Sequence, residues 1–463
     1  MTMIENHTYD EIQIGDKASI IRILTEKDIA LFAAMSGDVN PVHLDEEYAR
    51  SSLFHDLIGH GMWSGALIST VLGMQLPGPG AIYLSQTLQF KKPINIGDEI
   101  MIEVCVREKA GGGRVIFDCL CRNQFDEIVI SGEAVVLAPS KKIKIPVTQR
   151  PRAYLYERGD RLKALIRTAQ KHPPIRTGVV HAVNKISLEG VAASMEANLI
   201  APVLIGPRAR MEAAASEADF DLQGIEIIDT PHRHAAAAKA VAMAREGRLD
   251  ALMKGALHTD EIMPEVVSTE HGLRTERRVS HTYVMDTPAY EKLLFITDAA
   301  INISPDLDAK RDLIQNAIDL ARALGVDEPK VAILSAVETV DPKLQSTVDA
   351  AALCKMADRG QITGGVLDGP LAFDNAISPQ AAQTKGINSP VAGHADILLV
   401  PNLEAGNMLA KQLDYLGGAV AAGIVLGARI PIILTSRAEG KLPRVASSAV
   451  AKLYHYNRIG LMQ

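Results

Sequence analysis

Two stretches decide the reading: Ser36-Gly37-Asp38-Val39-Asn40-Pro41-Val42-His43, and His60-Gly61-Met62 leading into Trp63-Ser64-Gly65-Ala66-Leu67-Ile68-Ser69-Thr70-Val71-Leu72. The first sets a carboxylate, Asp38, and an imidazole, His43, on one loop punctuated by glycine and proline. The second is apolar on nearly every side, and a helix of that kind belongs in a core. Its amino end carries unpaired N–H groups and the positive end of the helix dipole. An acid/base pair beside a helix start that can hold an oxyanion suits addition or removal of water next to a thioester carbonyl. There the developing enolate needs donors and the water needs a base.

Working outward, Ile12 to Ile23 reads as an extended segment with a Gly15-Asp16 turn. Thr25-Glu26-Lys27-Asp28 reads as a helix start, with Ile29, Leu31, Phe32 and Met35 as apolar positions. The buried helix is expected from about Gly61 to Leu76. Beyond Pro77-Gly78-Pro79-Gly80 come four stretches of period two: Ile82–Phe90, Glu99–Lys109, Arg114–Gln124 and Glu127–Leu137. Ala110-Gly111-Gly112-Gly113 is a turn between two of them rather than a phosphate loop. One long helix with repeated strands predicts an α+β domain.

These residues, with Asp45, Tyr48-Ala49, Gly78-Pro79-Gly80-Ala81-Ile82-Tyr83-Leu84, Gln89-Phe90, Pro93 and Gly97-Asp98-Glu99, resemble the MaoC-like (R)-specific enoyl-CoA hydratases over about residues 8–140. The resemblance implies a hot-dog fold, a sheet wrapped round one long helix. It implies that Asp38 and His43 bind and activate the water, and that the Gly61 N–H polarises the thioester carbonyl. Ser69 would support the pocket, and Asn40 and His60 would lie on its substrate side. The family buries this pocket at a dimer interface, so a homo-oligomer, dimer or higher, is expected. Taken singly, Asp38 is also an ordinary turn residue and Ser69 an ordinary helix serine bonded to its own backbone. The joint spacing with His60-Gly61 is what favours chemistry.

At 463 residues the chain exceeds one ordinary core. Its 22% charged and 47% hydrophobic residues describe a folded globular protein. A net charge of −7 argues against nucleic acid as a general partner. The start, Met1-Thr2-Met3-Ile4-Glu5-Asn6-His7, lacks a basic region followed by an apolar one. The apolar run Ala419 to Leu426 is too short to span a bilayer. No membrane association and a cytoplasmic location are therefore expected. Cys105, Cys119, Cys121 and Cys354 form no Cys-x-x-Cys pair, so neither a disulfide framework nor a zinc site is expected. Cys119 and Cys121 share one face of a predicted strand, as small buried hydrophobes.

The domain division expected is 1–140, a linker over 141–175, and 176–463. The linker carries Pro139, Pro146 and Pro151 near Lys141, Lys142, Lys144, Arg150 and Arg152, and contains a helix from Asp160 to about Gln170. From Thr177 onward, short β-rich runs alternate with alanine-rich helical ones, as in an α/β fold of two lobes. Neither G-x-x-x-x-G-K-[ST] nor G-x-G-x-x-G occurs. Polar groups gather instead where predicted strands end, the place where open α/β sheets bind ligands.

Asp368-Gly369-Pro370-Leu371-x-Phe373-Asp374, Val391-Ala392-Gly393-x-Ala395-Asp396, Pro401-Asn402-Leu403-x-Ala405-Gly406-Asn407-x3-Lys411 and Ser436-Arg437 resemble the phosphate acetyl/butyryltransferases over about 175–460. The resemblance implies a two-lobed α/β fold of the isopropylmalate dehydrogenase-like kind. It implies acyl transfer between CoA and phosphate with no metal in the chemistry and no tightly bound cofactor. Coenzyme A thioesters and phosphate or acyl phosphate are the substrates. Ser436 and Arg437 would contact the acyl phosphate, and Asn407 and Lys411 would shape the cleft. Asp368 and the basic cluster with Arg274 and Arg278 would lie on the binding side.

One position departs from the pattern. Pro443 stands where the acetyl branch has an Asp that serves as base for the CoA thiol. Ser436-Arg437-Ala438-Glu439 is nearer the butyryl branch, with Glu439 as a substitute base. His232 and His234 lack a carboxylate cluster and read as solvated helix-start residues. The expectation is a bifunctional acyl-CoA enzyme: (R)-specific hydration of trans-2-enoyl-CoA, and acyl exchange between CoA and phosphate. The alternative is a hydratase whose carboxyl domain only binds CoA or drives oligomerisation.

Overall fold

The computed structural model describes residues 3–146, 158–434 and 440–461. The chain forms two compact units, Met1–Leu155 and Tyr156–Gln463.

The amino unit runs β1 (Met3–Glu5), β2 (Lys17–Ile23), α1 (Glu26–Ser36), α2 (Pro41–Leu44), α3 (Glu46–Ser51), α4 (Gly61–Met74), β3 (Ile82–Phe90), β4 (Glu99–Lys109), β5 (Arg114–Arg122), β6 (Ile128–Leu137) and β7 (Lys144–Pro146). Five strands form an antiparallel sheet in the order β2-β4-β5-β6-β3, and β1 pairs with β7 apart from it. The period-two pattern turns Ile100, Ile102, Val104 and Val106 of β4 and Val115, Phe117, Cys119 and Cys121 of β5 inward. Against them lie Trp63, Ile68, Val71 and Leu72 of α4. Each such side chain, fully buried, stabilises the unit by about 1.5–3 kcal/mol. This is the hot-dog arrangement.

The expectation that α4 is buried all round needs correction. Met62, Ala66, Ser69 and Met74 are exposed, because the sheet curls over only the face bearing Ser64, Ile68, Val71 and Leu72. The edge strand β3 likewise exposes Ile82, Tyr83, Leu84 and Phe90.

The carboxyl unit begins with α5 (Asp160–Gln170), β8 (Ile175–Val180), α6 (Lys185–Glu196), β9 (Ile200–Gly206), α7 (Arg208–Glu217), β10 (Glu226–Asp229), α8 (Arg233–Arg245), β11 (Ala251–Lys254) and α9 (Thr259–Val266). Next come β12 (Ser280–Asp286), β13 (Leu294–Thr297), α10 (Leu307–Ala323), β14 (Lys330–Leu334), α11 (Gln345–Asp358) and β15 (Val366–Leu371). It ends with α12 (Phe373–Ile377), α13 (Pro379–Thr384), β16 (Ile397–Leu399), α14 (Leu403–Tyr415), β17 (Val420–Leu426), β18 (Ile432–Ile433) and α15 (Lys441–Arg458). All the strands join one sheet, β10-β9-β8-β11-β18-β17-β12-β13-β16-β14-β15.

Two parallel blocks flank an antiparallel centre, where β17 and β12 reverse the chain direction. The strands read as continuous apolar runs because helices cover both faces. In α10, Leu313, Ile314, Ala317, Ile318 and Ala321 repeat at helical spacing and are fully buried. Of the stretch 141–175, Lys144–Pro146 pairs with the amino terminus, whereas Leu162 and Ala169 of α5 enter the carboxyl core. Pro151, Arg150 and Arg152 lie outside the described residues. No helix among the described residues is long and apolar enough to cross a membrane.

Candidate active sites

Helix α1 ends at Gly37, whose φ of 78° lets the chain turn out of the helix while its N–H donates to the Ala33 carbonyl. Asp38 follows, and its carboxylate accepts from the Asn40 N–H at 3.3 Å. Asn40 in turn caps α2, accepting from the Val42 N–H, with Pro41 at the first helical position. This places His43 in the last turn of α2, with Nδ1 2.8 Å from the Ile58 carbonyl oxygen. A carbonyl only accepts, so Nδ1 carries the proton and Nε2 of the neutral ring keeps its lone pair for a water.

His60 sits 3.0 Å through Nε2 from the Asp38 carbonyl oxygen, and its ring stacks on His43 at 3.8 Å between centroids. It is buried, and its Nδ1 has no partner among the described residues. Asp38, His43 and His60 each offer an atom within 4.8 Å of the others'. They are the one trio among the described residues with metal-donor spacing, although one nitrogen of each ring already serves a backbone carbonyl.

Gly61 begins α4 with no side chain capping it. A cavity of about 670 Å³ opens there, lined by Phe32, Asp38, His43, His60, Gly61 and Phe90 among others. A Cβ on Gly61 would come within 2.8 Å of the Phe90 ring, so any larger residue there requires the ring to shift. The sequence-predicted Asp38, His43, His60 and Gly61 are thus brought together. Ser69 is not; it lies on the exposed face of α4 and does not line the cavity. Ser64, unremarked in the sequence, is fully buried one turn after the helix start, its Oγ without a partner among the described residues. A serine in an apolar run gives no advance signal of which face it takes.

In the carboxyl unit, Ser436, Arg437 and Glu439 lie outside the described residues. The flanks on either side are described. Leu434 N–H donates to the Gly423 carbonyl, and Gly440 caps α15. Gly440 and Pro443 line a cavity of about 750 Å³ with Tyr283, Lys411 and Asp414. Asp414, the carboxylate on this lining, lies 3.5 Å from Arg158.

Asn407 donates through Nδ2 to the Ala299 carbonyl at 3.2 Å. One residue earlier, a Cβ on Gly406 would approach the Asp298 carbonyl oxygen to 2.9 Å. The Asp298 carboxylate accepts from His281 N–H, Ala300 N–H, Ile301 N–H, Asn302 N–H and Asn302 Nδ2, which fixes this corner. Burial pushes the His281 imidazole down to about 4 against the pull of Asp298, keeping the ring neutral.

Arg274 and Arg278 line a different cavity, of about 740 Å³, which also carries Asp260, Glu276, Asp306, Asp308 and Asp312. Arg278 donates through Nε to Asn302 Oδ1 at 3.0 Å, and Arg277 pairs with Asp319. Carboxylates therefore offset the basic cluster read from the sequence. Asp368 also sits differently from expectation. It does not follow a strand but lies within β15, in register with Ala332 of β14, and its carboxylate accepts from the Gly369 N–H. His232 caps α8, accepting from the Ala235 N–H at 3.2 Å, as a helix-start residue does.

Residues 232–451 match the family described as Phosphate acetyl/butaryl transferase, and residues 12–118 match the MaoC like domain. A phosphate acetyltransferase from Rhizobium meliloti is 62% identical over 294 residues, which is 64% of this chain and 93% of its relative. The chain belongs to the phosphate acetyl/butyryltransferase family. In it, that domain is fused behind a MaoC-like one. A branched-chain phosphotransacylase from Enterococcus faecalis V583 shares 28% identity and a TM-score of 0.54, covering 61% of this chain and 99% of its own. An unliganded R-hydratase, PhaJ1 from Pseudomonas aeruginosa, shares 42% identity and a TM-score of 0.33, covering 34% of this chain and 100% of its own.

Proposed function

We propose that the chain is a bifunctional enzyme of acyl-CoA metabolism, with residues 1–140 as a hydratase and 176–463 as an acyltransferase. The amino domain adds water syn across a trans-2-enoyl-CoA to give the (R)-3-hydroxyacyl-CoA, or runs in reverse. Asp38 and His43 Nε2 hold the water; Asp38 accepts its proton as the hydroxyl adds to C3, and that proton then passes to C2 as the enolate collapses. The amino end of α4 at Gly61 stabilises the enolate oxygen, with donors already aimed and needing no reorganisation. The observation that carries this reading is the convergence of Asp38, His43 and His60 on the cavity at the start of α4. In the described chain Ser69 does not reach that cavity, so its supporting role is set aside.

The carboxyl domain exchanges an acyl group between CoA and phosphate. The 62% identity to a phosphate acetyltransferase supports this, favours acetyl over longer acyl groups, and disfavours a purely binding module. Ser436 and Arg437 would hold the acyl phosphate, Asn407 and Lys411 would shape the cleft, and Arg274, Arg278 and Asp368 are its more distant candidates. With Pro443 in place of a carboxylate, Asp414 on the same cavity lining is the residue we assign as base for the CoA thiol.

The finer picture is an isopropylmalate dehydrogenase-like arrangement of lobes, no tightly bound cofactor, and a reducing, cytoplasmic setting that suits four free thiols. A homo-oligomer is supported by the exposed apolar side chains of edge strand β3 and the neighbouring Met62 and Met74. The test is incubation of the full chain with crotonyl-CoA and chiral analysis of the product. (R)-3-hydroxybutyryl-CoA is expected; the (S) product, or none, would overturn the assignment.

A further inference from the structure

At the carboxyl ends of β8, β9 and β10, three helices begin around one cavity of about 400 Å³. The lining includes the capping residue of each: Asn184 for α6, Pro207 for α7 and His232 for α8. These helices are 12, 10 and 13 residues long, so each brings a developed dipole, with one first-turn N–H in each already bound, Ser187 to Asn184, Arg208 to Asp229 and Ala235 to His232. Arg210 and Arg233 line the same cavity, and no carboxylate is among its lining residues. Glu261 holds the Arg233 Nε at 2.9 Å from outside that lining, which orients the guanidinium.

An independent observation points to a ligand. His181 also lines the cavity, is 4% exposed, and its Nδ1 is buried without a partner among the described residues. The backbone of His181 is pinned. Its N–H donates to the Ile205 carbonyl, and its carbonyl accepts from Val183 and Ala256 N–H groups. Burial, with Arg210 and Arg233 close by, keeps the imidazole neutral. A buried ring nitrogen left unpaired is costly unless something in the cavity completes it.

We infer that this cavity binds a phosphate monoester group. Two guanidinium groups beside three helix starts suit a tetrahedral dianion, whose charge would in turn let His181 take up a proton and donate. Val183, Pro207, Pro231 and Ala256 supply walls for a sugar or other group carrying the phosphate. Two sources share this chemistry: the 3′-phosphate of CoA itself, or a separate phosphorylated effector. The first source rests on the acyltransferase reading; the site as such does not.

The experiment uses the full chain, with adenosine 3′,5′-bisphosphate as calorimetric probe and Michaelis constants for CoA and dephospho-CoA in acetyl phosphate turnover. Arg210 is exposed, so Arg210→Ala should keep the wild-type melting temperature. It should weaken bisphosphate binding by about tenfold or more, as expected for loss of a charge-assisted contact. If KM for CoA rises in parallel while that for dephospho-CoA does not, the source is CoA. If KM for CoA stays unchanged while bisphosphate binding falls, the site serves an effector. No bisphosphate binding to the wild type, or equal binding by wild type, Arg210→Ala and a folded His181→Gln, would overturn the proposal. Bisphosphate binding without acetyl phosphate turnover would sink the acyltransferase reading and leave this site standing.

Discussion

The imidazoles of His43 and His60 stack 3.8 Å apart between centroids, and each gives one nitrogen to a backbone carbonyl, His43 Nδ1 to Ile58 and His60 Nε2 to Asp38. The pairing fixes which nitrogen of His43 can accept a proton and ties the Asp38 loop to the start of α4. Asp38→Asn keeps the size and the Asn40 turn contact but removes the base. Crotonyl-CoA hydration should fall by about two or more orders of magnitude with an unchanged melting temperature. Near-normal hydration would strip Asp38 of its role.

Gly61 meets the Phe90 ring where a Cβ would stand only 2.8 Å away. Gly61→Ala should therefore displace the ring and the helix start together, lowering hydration by about tenfold or more, since small misplacements of oriented donors are costly. Gly61→Ala/Phe90→Ala should recover part of the loss. A double variant as poor as the single one would rule out the steric explanation.

Lys452 is fully buried in α15, donating through Nζ to the His172 and Asn198 carbonyls at 2.7 Å each. Burial lowers its pKa from 10.5 to about 8. Between those values the unfolded chain binds a proton that the folded chain does not. Stability from this group thus rises with pH through that window, and below it the folded state carries the full cost of the buried ammonium. Denaturant unfolding of wild type and Lys452→Met should show a stability difference that shifts toward the wild type between about pH 8 and 10. A difference independent of pH would contradict the assignment.

Burial pushes the Cys119, Cys121 and Cys354 thiols up to about 12. Thiolate is the reacting form, so iodoacetamide at about pH 8 should modify Cys105 first in the native protein and all four after denaturation. Peptide mapping by mass spectrometry reads this directly; early labelling of Cys119 or Cys121 would mean that the sheet face is open.

The sequence foretold most of the amino unit because its signals are local. Alternation in Glu99–Lys109 fixes the inward residues of β4, and the helix start read at Thr25 is closed by a capping box with Asp28. Asp38, His43 and His60 were readable as a group because proline and glycine constrain the loop between them. What is set by distant pairing was not readable. Asp368 looked like a loop residue after a strand, yet pairing with β14 draws it into β15. Ser69 and Ser64 are equivalent in the sequence and are separated only by which face the sheet covers. The cavity at His181 depends on three helix starts far apart in the chain, and no linear pattern records that convergence.

That two chemistries share this chain is the proposal on which the rest depends. Its most direct test is thioester formation, followed by ultraviolet absorbance, from CoA and acetyl phosphate, with Ser436→Ala and Arg437→Ala beside the wild type and crotonyl-CoA hydration measured on the same samples. Turnover by the wild type, its loss in both variants, and unchanged hydration throughout are expected. A protein that hydrates crotonyl-CoA but forms no thioester from acetyl or butyryl phosphate would contradict the proposal.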